Sequence, residues 1–127
     1  MVKSNNKNFN HIKIHTQYSI CEGAIKIEDL RAFSKKNKIQ CLGLSDTINL
    51  CGALEFAENI SKVGTQPIIG TQINFKYGET IGLLPLIALN EEGYKRIIEL
   101  SSLSYLTNDS LTDPHLEIDE LFKNNQG

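Results

Sequence analysis

The chain has 127 residues, of which 40% are hydrophobic and 22% are charged, and its formal net charge is −2. This length fits one domain or part of one, and the composition argues against intrinsic disorder. The small net charge gives no indication of a nucleic-acid-binding surface. The longest apolar run, residues 81–89, is far shorter than the roughly 20 residues that span a bilayer. We therefore expect no membrane association, and the polar start predicts no secretory signal.

Cysteine usage indicates a reducing compartment. The three cysteines, Cys21, Cys41 and Cys51, are odd in number and form no C-x-x-C pair. A disulfide framework and a four-cysteine zinc site are therefore both disfavoured. We expect a cytoplasmic protein whose thiols are reduced and buried.

The first part of the chain predicts alternating strands and helices. Residues 1–8 are rich in Asn and Lys and are expected to form a flexible terminus. Residues 9–15 alternate between apolar and polar as a strand does. After a loop at 16–23, the spacing of Ile27, Leu30 and Phe33 predicts a helix that ends near residue 37 and has an acidic first turn.

The middle of the chain predicts two strands around one helix. The apolar segment 41–45 predicts a buried strand, and a second strand is expected at 68–70, continuing towards residue 75. Between them, a helix is predicted from Asn49, a favourable N-cap, to Gly64, which suits a left-handed C-terminal position. Its apolar stripe consists of Leu50, Ala53, Leu54, Ala57, Ile60 and Val63.

The last part of the chain adds a strand and two helices. A strand is expected at 81–89, where Pro85 requires a sheet edge or a bulge. Asn90 predicts the N-cap of a helix that ends near residue 103. A polar loop at 105–114 and a short helix at 116–122 are expected to follow. The inward residues of the helix after Asn90 are predicted to be Tyr94, Ile97, Ile98 and Ser101.

This order of elements is typical of an α/β fold built from parallel βαβ units, whose functional residues lie at the carboxyl ends of the strands. His11, Lys13 and His15 share one face of the first predicted strand, and Asp46 follows the second. Such a cluster is typical of a metal site. A hydrogen-bonded rim without metal is the alternative, since the Lys13 ammonium repels cations and offers no lone pair.

Four segments carry a resemblance to a known family. They read HIKIHTQYSICEG at 11–23, LGLSDTINLCGALEF at 42–56, PIIGTQINF at 67–75 and LIALNEEGYKRI at 86–97. Together they resemble the N-terminal polymerase and histidinol phosphatase (PHP) domain of the alpha-subunit family of bacterial DNA polymerase III. The resemblance covers residues 9–127 and implies about the first half of a distorted (β/α)7 barrel.

Four positions depart from the metal-binding members of this family. The first motif has Lys13 where those members have histidine, and the second has Thr47 in place of histidine. The third motif has Gln72 in place of glutamate, and a further family histidine aligns with Leu83. Each departure removes a metal donor. The resemblance therefore implies a vestigial cluster that holds no metal and no other cofactor.

Three positions keep the family residue. His15 and Asp46 match the motifs, and His11 matches a histidine that is usual in the polymerase branch. We predict that the Lys13 ammonium replaces the metal as the local positive charge and forms an ion pair with Asp46. The alternative is that Lys13 extends into solvent.

No residue pattern in the chain predicts polymerase chemistry, which needs several carboxylates around two metal ions. The acidic residues near the end of the chain are expected to lie on a solvated surface. They are Asp109, Asp113, Glu117, Asp119 and Glu120. The resemblance places the polymerase carboxylates in a later palm domain, so this part alone is expected to be inactive.

The resemblance also implies partners. They are the remaining domains of the alpha subunit and a separate proofreading exonuclease subunit that docks on the PHP domain, with DNA contacted only through the parent protein. Two alternatives stay open. One is an active PHP phosphoesterase or exonuclease, and the other is a truncated stand-alone binding module.

Overall fold

The computed structural model describes residues 9–109 and 111–127, so the predicted flexible terminus at 1–8 lies outside the described residues. Across these ranges, no helix is both long and apolar enough to cross a membrane. The helices and strands, in chain order, are α1 Ile27–Asn37, β1 Cys41–Thr47, α2 Ala53–Ser61, β2 Gln66–Tyr77, β3 Thr80–Ile87, α3 Glu91–Leu106, β4 Leu116–Glu117 and α4 Ile118–Lys123.

The strands form one sheet in the order β1-β2-β3. β1 and β2 are parallel, with Thr47 opposite Gln72, and α2 connects them as the predicted βαβ unit. β3 instead returns antiparallel to β2 through a tight turn, which places Pro85 opposite Gln72. The two-residue β4 pairs parallel with the far end of β2, where Leu116 lies opposite Phe75. The fold is therefore α/β with a parallel unit at its start and a hairpin after it.

The strand predicted at residues 9–15 is reduced to an extended segment with one parallel bridge, between Ile14 and Leu44. The N–H of Ile14 donates to the carbonyl of Gly43 at 3.1 Å. The backbone of Ile12 crosses over Gly43, because a Cβ built on that glycine would lie 2.6 Å from the Ile12 Cα. The N–H groups of Gly43 and Ser45 also donate to the carbonyls of His11 at 2.7 Å and Ile14 at 2.8 Å, so the segment lies beside β1 and one extra residue interrupts the ladder.

Two apolar clusters form the core. The larger cluster joins α1, β1 and α2, and contains Ile27, Leu30, Leu42, Leu44, Ala53, Phe56 and Ile60. The smaller cluster joins β2, α3 and β4, and contains Ile73, Phe75, Leu100 and Leu116. The prediction that Phe33 and Leu54 face inward is wrong, because Phe33 is 45% exposed and Leu54 is 73% exposed. Phe56, which the predicted stripe omitted, is completely buried.

The second helix is shorter at both ends than predicted, because α2 spans Ala53–Ser61 and Gly64 lies three residues beyond its end. α2 begins at Ala53 after Gly52, and the side chain of Asn49 instead accepts a hydrogen bond from the N–H of Cys51 at 3.0 Å. Asn49 therefore closes a turn between β1 and α2. Gly64 has φ +78°, the left-handed conformation predicted for it.

The helix predicted after Asn90 is confirmed, and the side chain of Asn90 accepts a hydrogen bond from the N–H of Gly93 at 3.0 Å. α3 extends to Leu106, so the start of the predicted loop at 105–114 is helical. Of the predicted inward residues, Ile97 is buried, whereas Tyr94 and Ile98 are more than a third exposed. The buried face of α3 consists of Gly93, Ile97, Leu100 and Ser104.

All three cysteines are free thiols, but the expectation that they are buried is wrong. Cys21 is exposed in the loop before α1, and Cys51 is exposed in the turn before α2. Cys41, at the start of β1, is partly buried.

β3 is the outer strand of the sheet, and its free side pairs with no strand of the described residues. The N–H of Ala88 donates to the carbonyl of Ile69 at 2.9 Å, so by strand alternation the nitrogen of Pro85 points away from β2. Pro85 therefore costs the sheet no hydrogen bond, as the prediction of an edge position required. The exposed apolar side chains of β3 are Ile81, Leu83 and Leu84.

We expect residues 1–127 to self-associate through this edge, because an apolar strand with free backbone groups is a template for another chain. Ile81→Lys should raise the dimer dissociation constant by about tenfold, since an edge charge opposes strand addition. Size-exclusion chromatography with light scattering over a range of concentrations measures this. Leu111→Lys is the control, because Leu111 is 96% exposed and lies outside the sheet. A wild-type monomer with a sharp, reversible thermal transition would contradict this expectation.

Candidate functional site

A hydrogen-bonded ring of four side chains, called here the His15 network, lies at the carboxyl ends of β1 and β2. His15 Nδ1 lies 3.2 Å from Glu22 Oε2, and His15 Nε2 lies 3.2 Å from Gln72 Nε2. The Thr47 hydroxyl donates to Glu22 Oε2 at 2.5 Å and accepts from Gln72 Nε2 at 3.3 Å. Thr47 and Gln72 lie side by side because the parallel register of β1 and β2 pairs these two residues.

Donor and acceptor chemistry assigns the proton on His15. The amide nitrogen of Gln72 only donates, so His15 Nε2 accepts and the ring proton lies on Nδ1. Nδ1 then donates to Glu22, and the two amide hydrogens of Gln72 serve His15 and Thr47. A neutral imidazole therefore satisfies every contact in the ring.

Gln72 is almost completely buried, with 2% of its surface exposed. Its Oε1 has no hydrogen-bond partner among the described residues. Leaving a buried acceptor unpaired costs roughly 1–3 kcal/mol, so the amide orientation is maintained by the two bonds that its nitrogen donates.

Asp46 lies on the opposite face of β1 from Thr47, because neighbouring residues of a strand point to opposite sides. Its carboxylate is completely buried and accepts three hydrogen bonds. The donors are the Thr16 N–H at 2.6 Å, the Thr16 hydroxyl at 2.7 Å and the Ser19 hydroxyl at 2.7 Å. Asp46 therefore fixes the loop at 16–23 and does not join the His15 network.

The predicted ion pair between Lys13 and Asp46 is wrong. Lys13 is exposed, whereas Asp46 is buried and already receives uncharged donors on both carboxylate oxygens. The alternative, in which Lys13 extends into solvent, is the arrangement found. Uncharged donors are enough to stabilise the buried charge of Asp46 because three of them converge on its carboxylate.

The two remaining predicted residues lie outside the His15 network. His11 is exposed, packs edge-on against Phe9 with ring centroids 4.7 Å apart, and lines an apolar groove beside Phe33. Leu83 lies opposite Asn74 on β3, two residues from Pro85, and supplies no polar atom. Of the seven predicted cluster residues, the structure joins His15, Thr47 and Gln72.

Glu22 is the site residue that the sequence reasoning missed. The loop folds back so that Gly23 lies against the backbone of Thr16, and a Cβ on that glycine would lie 1.9 Å from the Thr16 carbonyl oxygen. Because of this close approach, Glu22 lies next to His15, which precedes it by seven residues. The signal in the sequence was an acidic residue directly before a loop glycine.

These residues do not fit a metal ion. Among the described residues, no group of three or more His, Cys, Asp or Glu side chains is arranged to hold one. The lone pair of His15 Nε2 is occupied by the Gln72 amide, and the Asp46 carboxylate faces the other side of β1.

The contrast between Asp46 and Lys13 is testable. Asp46→Ala should lower the free energy of unfolding by about 3 kcal/mol or more, because it removes an acceptor from three buried donors. Lys13→Ala should change it by less than about 0.5 kcal/mol, because Lys13 is exposed. Urea unfolding followed by circular dichroism measures both. A Lys13→Ala variant as unstable as Asp46→Ala would restore the ion-pair interpretation.

Comparison with known proteins supports the resemblance found in the sequence. The sequence profile of the PHP domain family matches residues 11–127. The chain is 37% identical to the DNA polymerase III subunit alpha of Rickettsia felis over 120 residues, which cover 94% of this chain and 10% of that protein. The corresponding protein of Borreliella burgdorferi is 35% identical over 130 residues, covering 94% of this chain and 11% of that protein. The chain thus spans about a tenth of the length of these relatives.

A solved structure shares the fold. It is a protein of Bifidobacterium adolescentis proposed to be a metal-dependent phosphoesterase, and it superposes with a TM-score of 0.56. The sequences are 17% identical, and the match covers 76% of this chain and 34% of that one. At this identity the likeness concerns the fold alone, and it confirms the predicted α/β class of PHP type.

Proposed function

Because the chain belongs to the PHP domain family and is homologous to the N-terminal region of DNA polymerase III alpha subunits, we propose that it acts in DNA replication as a metal-free PHP domain of such a subunit. In this proposal, residues 9–127 are about the first half of the barrel, and the protein is cytoplasmic. Polymerase chemistry belongs to the parts of the longer relatives outside the matched tenth, and DNA is contacted through them.

The amide of Gln72 carries the metal-free part of the proposal. Its nitrogen donates to both His15 and Thr47. A carboxylate at this position would instead present oxygen lone pairs to His15 and Thr47. An N–H donor that points at an imidazole lone pair excludes a cation from that lone pair. The His15 network is therefore a structural crosslink between the first loop and the two strands.

The proposed role of the domain is to dock a proofreading exonuclease subunit and to support the remaining domains of the alpha subunit. The resemblance supports this role, since family members with a degenerate site have their exonuclease on a separate chain. A site whose polar groups bond to one another suits a scaffold better than a hydrolase, because its imidazole and hydroxyl are engaged within the network.

Metal content tests the first part of the proposal. After purification and exposure to excess zinc or manganese, followed by desalting, we expect less than about 0.1 metal ion per wild-type chain, because its histidine lone pair is occupied. The variant Thr47→His/Gln72→Glu should retain about one ion, because it places two further donors beside His15. Elemental analysis by mass spectrometry measures both.

The matched control for metal content is Gln72→Ala, which removes the amide without adding a carboxylate and should also remain without metal. One tightly held ion per wild-type chain would contradict the proposal. So would hydrolysis of a simple phosphate ester or of single-stranded DNA by the wild-type chain with added zinc or manganese, which would favour the active phosphoesterase or exonuclease.

Binding to the exonuclease tests the second part of the proposal. The exonuclease subunit from the same genome should bind the chain with a dissociation constant in the micromolar range or tighter, corresponding to about −8 kcal/mol. Isothermal titration calorimetry measures this, with Asp46→Ala as the control for loss of the folded loop. Absence of binding to the wild-type chain and to the longer alpha subunit alike would favour the stand-alone module.

A further inference from the structure

The turn after β1 holds Ile48 in a left-handed backbone conformation, with φ +54°. A β-branched residue is unfavourable there, because its Cβ crowds the backbone. Such a conformation persists only where surrounding contacts determine it. The preceding residue, Thr47, supplies the hydroxyl of the His15 network, so the unfavourable backbone lies directly beside the site.

Hydrogen bonds from three directions fix this turn. The Ile48 N–H donates to the carbonyl of Gln72 at 2.7 Å. The side-chain amide of Asn49 donates to the carbonyls of Thr47 at 3.0 Å and Tyr18 at 2.9 Å. The third direction is α3, from which the hydroxyl of Tyr105 donates to the carbonyl of Ile48 at 2.8 Å.

Tyr105 connects two distant parts of the chain, because it lies in the last turns of α3, 57 residues after Ile48. Tyr105 is 54% exposed, while its hydroxyl is held against the turn. Burial, and then the neighbouring Cys51, raise the pKa of Tyr105 above its ordinary value, so the hydroxyl keeps the proton that it donates. The bond therefore persists across neutral pH.

We propose that Tyr105 is the positioning residue of the His15 network. Its hydroxyl holds the Ile48 carbonyl, and with it the left-handed turn, so that the Thr47 hydroxyl stays within reach of Glu22 and His15. The proposal rests on the proposed function only in treating the His15 network as the vestigial site. Its consequence is that a displacement of the exposed Tyr105 ring on α3 changes the geometry of the site.

A double-mutant cycle in the full chain tests this proposal. Tyr105→Phe removes only the hydroxyl, and Ile48→Asn substitutes a residue that tolerates left-handed φ. In the wild-type background, Tyr105→Phe should accelerate hydrogen exchange of the amide at position 48 by about tenfold, because the turn opens more often. In the Ile48→Asn background the acceleration should be less than about twofold, because the turn no longer needs the restraint.

The site itself provides a second readout. The imidazole ¹⁵N shifts of His15 should report one tautomer in the wild-type chain and a mixture in Tyr105→Phe, because Thr47 then moves relative to Glu22. Tyr77→Phe is the matched control, since Tyr77 is 77% exposed at the end of β2, and it should leave both readouts unchanged.

Equal acceleration in both backgrounds would overturn the proposal, because Tyr105 would then be an ordinary packing contact. Unchanged His15 shifts in Tyr105→Phe would overturn it as well. If Tyr105→Phe fails to fold, recovery of folding in Tyr105→Phe/Ile48→Asn supports the proposal, and continued failure contradicts it. Metal content of the wild-type chain is measured separately, so failure of the proposed function is distinguishable from failure of this coupling.

Discussion

The buried carboxylate of Asp46 determines where the first loop lies. Removing a carboxylate from water costs several kcal/mol unless donors replace the lost hydration. Here the donors are the backbone and hydroxyl of Thr16 and the hydroxyl of Ser19, at 2.6–2.7 Å. The loop cannot move away without leaving this charge unsolvated. Because the same loop carries Glu22, the position of the His15 network depends on a residue that is not part of it.

The His15 network is held together by hydrogen bonds among its own side chains. Gln72 has the size of glutamate, but its amide nitrogen donates where carboxylate oxygens accept. His15 therefore keeps its place on a neutral hydrogen bond, and the Thr47 hydroxyl completes the ring. The outcome is a crosslink among the N-terminal segment, β1 and β2 that needs no cation.

The outer strand β3 has no partner on its free side among the described residues. β3 is apolar on both faces and yet partly exposed, whereas a strand of this composition is ordinarily covered on both faces. The chain corresponds to about a tenth of the length of its polymerase relatives and to about a third of a structure with the same fold. Pro85 fits this sheet because its nitrogen points away from β2.

The sequence alone determined what depends on local periodicity and on residue chemistry. The bounds of α1, the cap at Asn90, the left-handed Gly64 and the edge position of Pro85 follow from such local rules. The predicted loss of metal donors at Lys13, Thr47, Gln72 and Leu83 likewise rests on residue type and on the family motifs that the sequence resembles.

Only the tertiary structure decided which of these side chains meet. Asp46 and Thr47 are neighbours in sequence but point to opposite sides of β1. Which of these sides is buried depends on the elements that pack on each face of the strand. Glu22 reached His15 because the loop folds back onto Thr16. Tyr105 reached Ile48 from α3 across 57 residues. Such long-range contacts leave no periodic trace in the sequence, because they are set by how the elements pack and not by the order of residues within them.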